Sequence, residues 1–292
     1  MEPSEVQRAV DAGRSTASAL GLPVDDAVVI HNSNRIAVRL SPCEVLARIG
    51  PTAHQAGSEL EVEVARRLAQ TDSPVGELEP RVEPRVYLRD GFVVTLWTYY
   101  EPATSQDHPA SDYADALERL HVGMRKVDVT TPHFTDRLTE AQRLVSSREL
   151  TPALADADRA LLVNTLRGVG RTIRDRGAAE QLLHGEPHPG NLLSTKNGPL
   201  FIDLETCCRG PIEFDVAHVP EEASELYPNI DQELVRECRL LVLAMVAAWR
   251  FEPGDQLPNR QRAVRVLLSA LREGPPWPTL GVIGRRMALS GD

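Results

Sequence analysis

The residues Leu182-Leu183-His184-Gly185-Glu186-Pro187-His188-Pro189-Gly190-Asn191-Leu192-Leu193, and after a short turn Leu200-Phe201-Ile202-Asp203-Leu204-Glu205, decide how the whole chain is read. Apolar runs bracket a dense polar turn. Within it stand a carboxylate (Glu186), an amide five residues on (Asn191) and a second carboxylate twelve beyond that (Asp203). A carboxylate at the end of a short apolar strand, as Asp203 is, is costly unless a cation or hydrogen-bond donors satisfy it. Hard oxygen ligands, completed by water and phosphate, suit magnesium. A carboxylate to orient an attacking hydroxyl, with an amide and a carboxylate for a nucleotide-borne metal, is the set that phosphoryl transfer needs.

A different arrangement is open at this point. His184, Glu186 and His188 alternate, so a regular strand would bring all three to one face, as in a transition-metal site. Pro187 and Pro189 would deprive such a strand of ladder hydrogen bonds. A tight turn anchored by His184 accommodates the prolines better.

Upstream, the pattern changes from helical to extended. Residues 4–20 predict a helix with Val6, Ala9, Val10, Ala17 and Leu20 on one face. Runs rich in β-branched and aliphatic residues follow at 27–30, 35–40 and 44–49, separated by turn chemistry at His31-Asn32-Ser33-Asn34 and Ser41-Pro42-Cys43. Residues 55–70 predict a helix with Glu59, Glu61 and Glu63 in its first half, where the helix dipole favours acidic side chains. Strands at 85–88 and 92–97 flank Arg89-Asp90-Gly91, and Asp-Gly between apolar runs is a strong hairpin signal. Residues 98–109 form a polar, proline-containing connector. Beyond it, helices are predicted near 111–125, 134–147, 155–176, 231–250 and 258–273.

Composition narrows the classes. The chain has 292 residues, 42% hydrophobic and 25% charged, with a net charge of −10. That balance argues against nucleic acid, which wants a basic surface, and is compatible with a cationic small-molecule ligand. No apolar run approaches the roughly 18 residues of a membrane span. The polar, acidic start lacks the basic and apolar blocks of a secretory signal, so a cytoplasmic location is expected. The four cysteines, Cys43, Cys207, Cys208 and Cys238, form no C-x-x-C pair and read as reduced structural thiols. Lys126 and Lys196 are the only lysines.

The motifs His184-Gly185-Glu186-Pro187-His188-Pro189-Gly190-Asn191, Phe201-Ile202-Asp203-Leu204-Glu205 and Gly210-Pro211-Ile212-Glu213-Phe214-Asp215 resemble, in order and spacing, the core of aminoglycoside phosphotransferases. These are antibiotic kinases with a protein-kinase-like fold and choline kinases among their relatives. The resemblance covers roughly residues 25–250. It implies an α+β, two-lobed protein-kinase-like fold, with an N-terminal five-stranded antiparallel sheet carrying one main helix, and a mainly helical C-terminal lobe. The lobes would be 1–97 and 110–292, joined by the connector 98–109, with a catalytic loop at 184–191 and a metal-binding hairpin at 200–205.

The same resemblance implies roles. Glu186 takes the catalytic-base position, where the family usually has aspartate. Asn191 and Asp203 would ligate Mg2+, with Glu205 near the metal. Asp215 would brace the catalytic loop and His184 would anchor it. Leu96, Trp97, Thr98 and Tyr99 would form the hinge that meets adenine. Apart from the resemblance, the Asn32-Ser33-Asn34 turn offers backbone and side-chain donors that suit the phosphates of ATP. Leu117, Leu120 and His121 resemble the family's LxxLH helix end. The family's phosphate-binding lysine is expected on the third strand. No lysine precedes residue 126, so Arg48 is the stand-in, able to contact phosphate bidentately. Its partner would be a glutamate of the 55–70 helix, Glu61 by register, with Glu59 and Glu63 as alternatives.

The implied reaction is transfer of the ATP γ-phosphoryl to a hydroxyl of an aminoglycoside-like or other amine-bearing compound, by a monomer or homodimer. Glu186 and Arg48 leave a second reading, a nucleotide-binding pseudokinase or regulatory module. A third, a hydrolase with a metal on His184 and His188, predicts tightly bound zinc or iron.

Overall fold

Ile36, Val38 and Leu40 alternate along strand β2 (Ile36–Pro42), and Val45, Ala47 and Ile49 along β3 (Val45–Pro51). All six are buried, because side chains on a strand take opposite faces by turns. In the computed structural model, which describes residues 3–103, 108–255 and 259–289, these strands lie within a five-stranded antiparallel sheet. Its order is β1 (Val24–Asn32), β2, β3, β5 (Phe92–Thr98), β4 (Tyr87–Arg89). The expected fold class is the observed one. Helix α1 (Pro3–Ala19) contributes Ala9, Val10, Ala12 and Ala17 to the core beneath the sheet, and α2 (Gln55–Leu68) follows β3 as the sequence predicts. Residues 104–107 of the predicted connector and the first residue of the helix predicted at 258–273 lie outside the described residues.

The chain divides into two compact units. The first comprises Met1–His108, Val122–Val129 and Leu192–Cys207, and the second Pro109–His121, Thr130–Asn191 and Cys208–Asp292. The stretch 182–205 therefore divides after Asn191. Its second half is the hairpin β7 (Leu192–Thr195)–β8 (Gly198–Phe201), which belongs to the first unit. Backbone bonds hold it there: the Phe201 amide donates to Pro74 O (2.7 Å), and the Gly76 amide donates to Phe201 O (2.9 Å).

The second unit is built on α3 (Ala110–Met124, whose last three residues count with the first unit), α4 (Phe134–Ser146), α5 (Asp156–Arg176), α8 (Gln232–Trp249), α9 (Arg260–Glu273) and α10 (Leu280–Leu289), with short helices α6 (Ile212–Val216) and α7 (Glu221–Leu226). Leu241, Val242, Leu243, Ala244 and Met245 of α8 are buried in one core with Leu138, Leu162, Leu166 and Phe214. The first half of the opening stretch lies here as β6 (Glu180–Leu183), paired antiparallel with β9 (Cys208–Pro211). All four cysteines are buried thiols outside any disulfide. Among the described residues, no helix is long and apolar enough to cross a membrane.

Candidate active site

In the first unit a cluster of charges forms where β2 and β3 meet α2 and the turn after β8. The register Ala37↔Arg48 and Ile36↔Ile49 puts Arg35, just before β2, beside Gly50. A Cβ on Gly50 would lie 2.7 Å from Arg35 Cγ, so glycine there makes room for the arginine stem. Glu61 of α2 is fully buried and is met by two guanidiniums. Arg35 Nη1 donates to its Oε2 at 2.9 Å, and Arg48 Nη1 donates to its Oε1. Both arginines also donate to Asp203 Oδ1, Arg35 at 2.9 Å and Arg48 at 2.8 Å, and Arg35 Nη2 lies 2.8 Å from Glu205 Oε2. The Ser58 hydroxyl accepts from Arg35 at 3.2 Å.

A fully buried carboxylate persists only when paired, and this one is paired twice. Burial alone would weaken protonation of Arg48, but Glu61 and Asp203 outweigh it and hold its pKa above the ordinary value. Glu205 goes the other way. Burial, joined by the nearby carboxylates of Asp203 and Glu61, overcomes the Arg35 guanidinium and pushes Glu205 up to about 7. Asp203 itself is left-handed (φ 68°, ψ 59°). For a residue with a Cβ that conformation costs about 1–2 kcal/mol, offset here by the two guanidiniums on its side chain.

The remaining first-unit residues of the predicted site lie in the turn and in β5. Asn32 ends β1, and the Ser33 amide and hydroxyl both donate to Arg35 O, at 3.1 Å and 3.2 Å. Leu96 and Trp97 are buried. Leu96 O accepts from the Glu79 amide, the Thr98 amide donates to Glu77 O, and the Tyr99 amide donates to Glu44 O. These three backbone groups are committed within the unit, so an adenine ring at 96–99 has to use others.

In the second unit, the loop after β6 is wound about Asp215 of α6. Gly185 has φ +88°, a conformation open to glycine, and this turns its amide toward the carboxylate. Asp215 accepts from the His184 amide (2.8 Å), the Gly185 amide (2.8 Å) and His121 Nε2 (3.0 Å). His121 Nδ1 in turn lies 2.7 Å from the Tyr227 hydroxyl, so an Nε2–H tautomer makes Tyr227 the donor. Burial would raise the Asp215 pKa, but the hydrogen bond from His121 holds it below the ordinary carboxylate range. The loop closes on itself. His188 N donates to Glu186 O (2.8 Å), Asn191 Nδ2 donates to the same oxygen (3.0 Å), and the Tyr113 hydroxyl donates to Pro187 O (2.6 Å).

The Glu186 carboxylate emerges from this loop with its side chain 27% exposed. It accepts from Arg137 Nη2 of α4. Arg137 Nη1 donates to Gly185 O at 3.2 Å, and its guanidinium carbon stands 4.8 Å from the centroid of the Trp249 ring. Burial would raise the Glu186 pKa, but Arg137 and the histidines nearby carry it below the ordinary value. Burial holds His218 down to about 4 against the pull of Glu186 and Asp215, so it is neutral at physiological pH.

The structure thus gathers Arg48, Glu61, Asp203 and Glu205 in one unit, and His184, Glu186, Asn191 and Asp215 in the other. His184 and His188 serve the loop: each Nδ1 accepts an amide two residues on, from Glu186 at 3.4 Å and Gly190 at 3.1 Å. Among the described residues no group of three or more His, Cys, Asp or Glu could hold a metal ion. Sequence reasoning missed Arg35, Arg137 and His218. Gly50 opposite Arg35 was a usable signal. Nothing in the α4 pattern distinguishes Arg137 from Arg143, the other arginine of that helix.

A family model described as the phosphotransferase enzyme family matches residues 29–265. No curated protein matches the chain. Among solved structures, it is similar to an amicoumacin kinase in complex with AMP-PNP and Ca2+ (TM-score 0.70, 11% identity, 95% of this chain and 98% of that one). It is also similar to the choline kinase LicA from Streptococcus pneumoniae (TM-score 0.64, 14% identity, 89% and 98%). A third likeness is to the aminoglycoside phosphotransferase APH(3'')-Id from Streptomyces rimosus (TM-score 0.57, 18% identity, 94% and 100%). At these identities the likeness is one of fold.

Proposed function

Because the chain belongs to the phosphotransferase enzyme family, we propose that it transfers the γ-phosphoryl group of ATP to a hydroxyl of a small molecule. The observation that carries this reading is the first-unit cluster, in which a strand cation (Arg48), a buried helix carboxylate (Glu61) and a turn carboxylate (Asp203) are tied together. Phosphoryl transfer depends on positioning and charge neutralisation more than on covalent chemistry by the protein. In this reading Arg48 contacts the phosphates and Glu61 orients it.

The donor set fits a magnesium ion brought by the nucleotide. Asp203 and Glu205 are part-exposed carboxylates, with side chains 31% and 27% accessible. Mg2+ is commonly held by one or two carboxylates together with substrate phosphates, so the lack of a three-ligand cluster does not conflict with it. Asp203 and Glu205 are the first-unit residues assigned to it. When bound, the ion neutralises charge on the β- and γ-phosphates. Glu186 aligns the acceptor hydroxyl and takes its proton, while Asp215 holds the loop that carries it.

Amine-bearing hydroxyl compounds are the acceptor class in view, since the chain is acidic overall and structurally similar proteins include kinases of amicoumacin, choline and aminoglycosides. The test is transfer of labelled phosphate from ATP to a panel of such compounds. Replacing Glu186 by Gln should lower kcat by about 10²-fold or more. Undiminished transfer by that variant would remove Glu186 from its role. The Arg137–Glu186 ion pair favours one second reading, a module that binds nucleotide without transfer. That reading predicts Mg2+-dependent ATP binding, no labelled product, and no gain from Glu186→Asp.

A further inference from the structure

The two first-unit carboxylates assigned to the metal already share a cation. Arg35 Nη2 lies 2.9 Å from Asp203 Oδ1 and 2.8 Å from Glu205 Oε2. It is not a surface arginine that happens to fold over. It is 6% exposed, its stem fits against Gly50, and its other terminal nitrogen is bonded to Glu61 and Ser58. Withdrawing it would leave the fully buried Glu61 with Arg48 alone, and an undercompensated buried charge is costly. Asp203 Oδ1 also accepts from Arg48, so two guanidinium donors meet one oxygen. A carboxylate oxygen has two lone pairs, and both are thereby engaged.

We propose that Arg35 is a resident cation of the acidic turn. It bridges Asp203 and Glu205, positions them together with Glu61, and lowers the affinity of the nucleotide-free protein for divalent ions, so that the metal enters with the phosphates that help to ligate it. The proposal rests on the reading of Asp203 and Glu205 as metal-facing. Arg48 and Arg35 then divide between them what a single lysine does alone: Arg48 faces the phosphates, and Arg35 keeps the carboxylates in place. A single ammonium could not do this. Arg35 reaches four side chains through the two ends of a planar fork, whereas an ammonium is a point charge.

The test is a Mn2+ titration of the nucleotide-free protein, followed by calorimetry or by the spin-resonance signal of free Mn2+. The wild type should bind with a Kd of about 1 mM or weaker. Arg35→Met should bind Mn2+ at least about tenfold more tightly, equivalent to about 1.4 kcal/mol. Adding Asp203→Asn to that variant should abolish the gain. A cooperatively folded Arg35→Met protein with unchanged or weaker Mn2+ affinity overturns the proposal, as does a gain that survives Asp203→Asn. If Arg35→Met does not melt cooperatively, Arg35→Lys replaces it. It keeps the charge but cannot span all the carboxylates, and a gain of a few-fold is expected. No gain from Arg35→Lys would then overturn the proposal. Mg2+-ATP binding by the wild type is measured alongside. Its absence would refute the phosphotransferase reading, while the Mn2+ comparison still decides the role of Arg35.

Discussion

In the proposed reaction, the Arg137–Glu186 ion pair sets the working range of the base. The guanidinium keeps the Glu186 pKa below its ordinary value although burial pulls the other way. A general base must be deprotonated to act. Removing the cation with Arg137→Leu should therefore move the acid limb of the kcat/KM profile to higher pH, measurable as a shift of its midpoint, whereas an unmoved limb would mean that Arg137 does not tune Glu186. His218 gives a stability counterpart. Its pKa falls from 6.5 in a solvated imidazole to about 4 in the fold. Between those values the unfolded chain binds a proton that the folded chain refuses, so stability drops as pH falls from about 6.5 to 4. The full effect is on the order of 3 kcal/mol. Glu205, raised to about 7, acts with opposite sign, losing stability as pH rises from 4.5 toward 7. The difference between wild type and His218→Asn in urea midpoint against pH isolates the histidine. The variant should lack that acid-side loss, and parallel curves would contradict the assignment. At this scale, Glu186, Asn191 and Asp203 were legible because they stand in short polar segments between apolar runs. Arg137 was not, since a helical arginine reads the same whether it meets solvent or a carboxylate 49 residues away.

Among the elements, strands β2, β3 and β5 were readable from alternation and β-branched content, and α8 from its apolar run. Helix α10 was not anticipated. Its sequence contains Gly281 and Gly284 and follows the proline-rich Gly274-Pro275-Pro276-Trp277-Pro278, both of which argue against helix when only local propensity is weighed. From its sequence, 182–205 reads as a polar turn followed by a hairpin. Its division after Asn191 depends on backbone bonds to Pro74 and Gly76 and on the β6–β9 pairing, contacts distant in sequence that no local pattern announces. The core of the second unit offers a direct check on the element account. Leu241 of α8 is fully buried among apolar side chains. Leu241→Ala should destabilise the protein by about 2–5 kcal/mol in a denaturant titration, and a loss below about 1 kcal/mol would be at odds with a packed site.

For the whole molecule, the order of elements was legible: a sheet with one helix after its third strand, then a mainly helical remainder. That order, with three short motifs, was enough to indicate the phosphotransferase enzyme family, and the family match over residues 29–265 agrees. The acceptor was not legible, because substrate recognition depends on side chains whose surroundings only the fold creates. In the proposed function Arg48, Glu61, Asp203 and Glu205 carry the nucleotide and metal chemistry and Glu186 activates the hydroxyl. All of this requires that Asp203 hold a metal carried by ATP. Calorimetric titration of ATP into the wild type and into Asp203→Asn, with Mg2+ and with chelator, tests this most directly. If Asp203 holds that metal, the wild type binds in a Mg2+-dependent way and the variant loses at least about tenfold in affinity, or about 1.4 kcal/mol. Equal binding by the two proteins, or binding by the wild type that is indifferent to Mg2+, would contradict it.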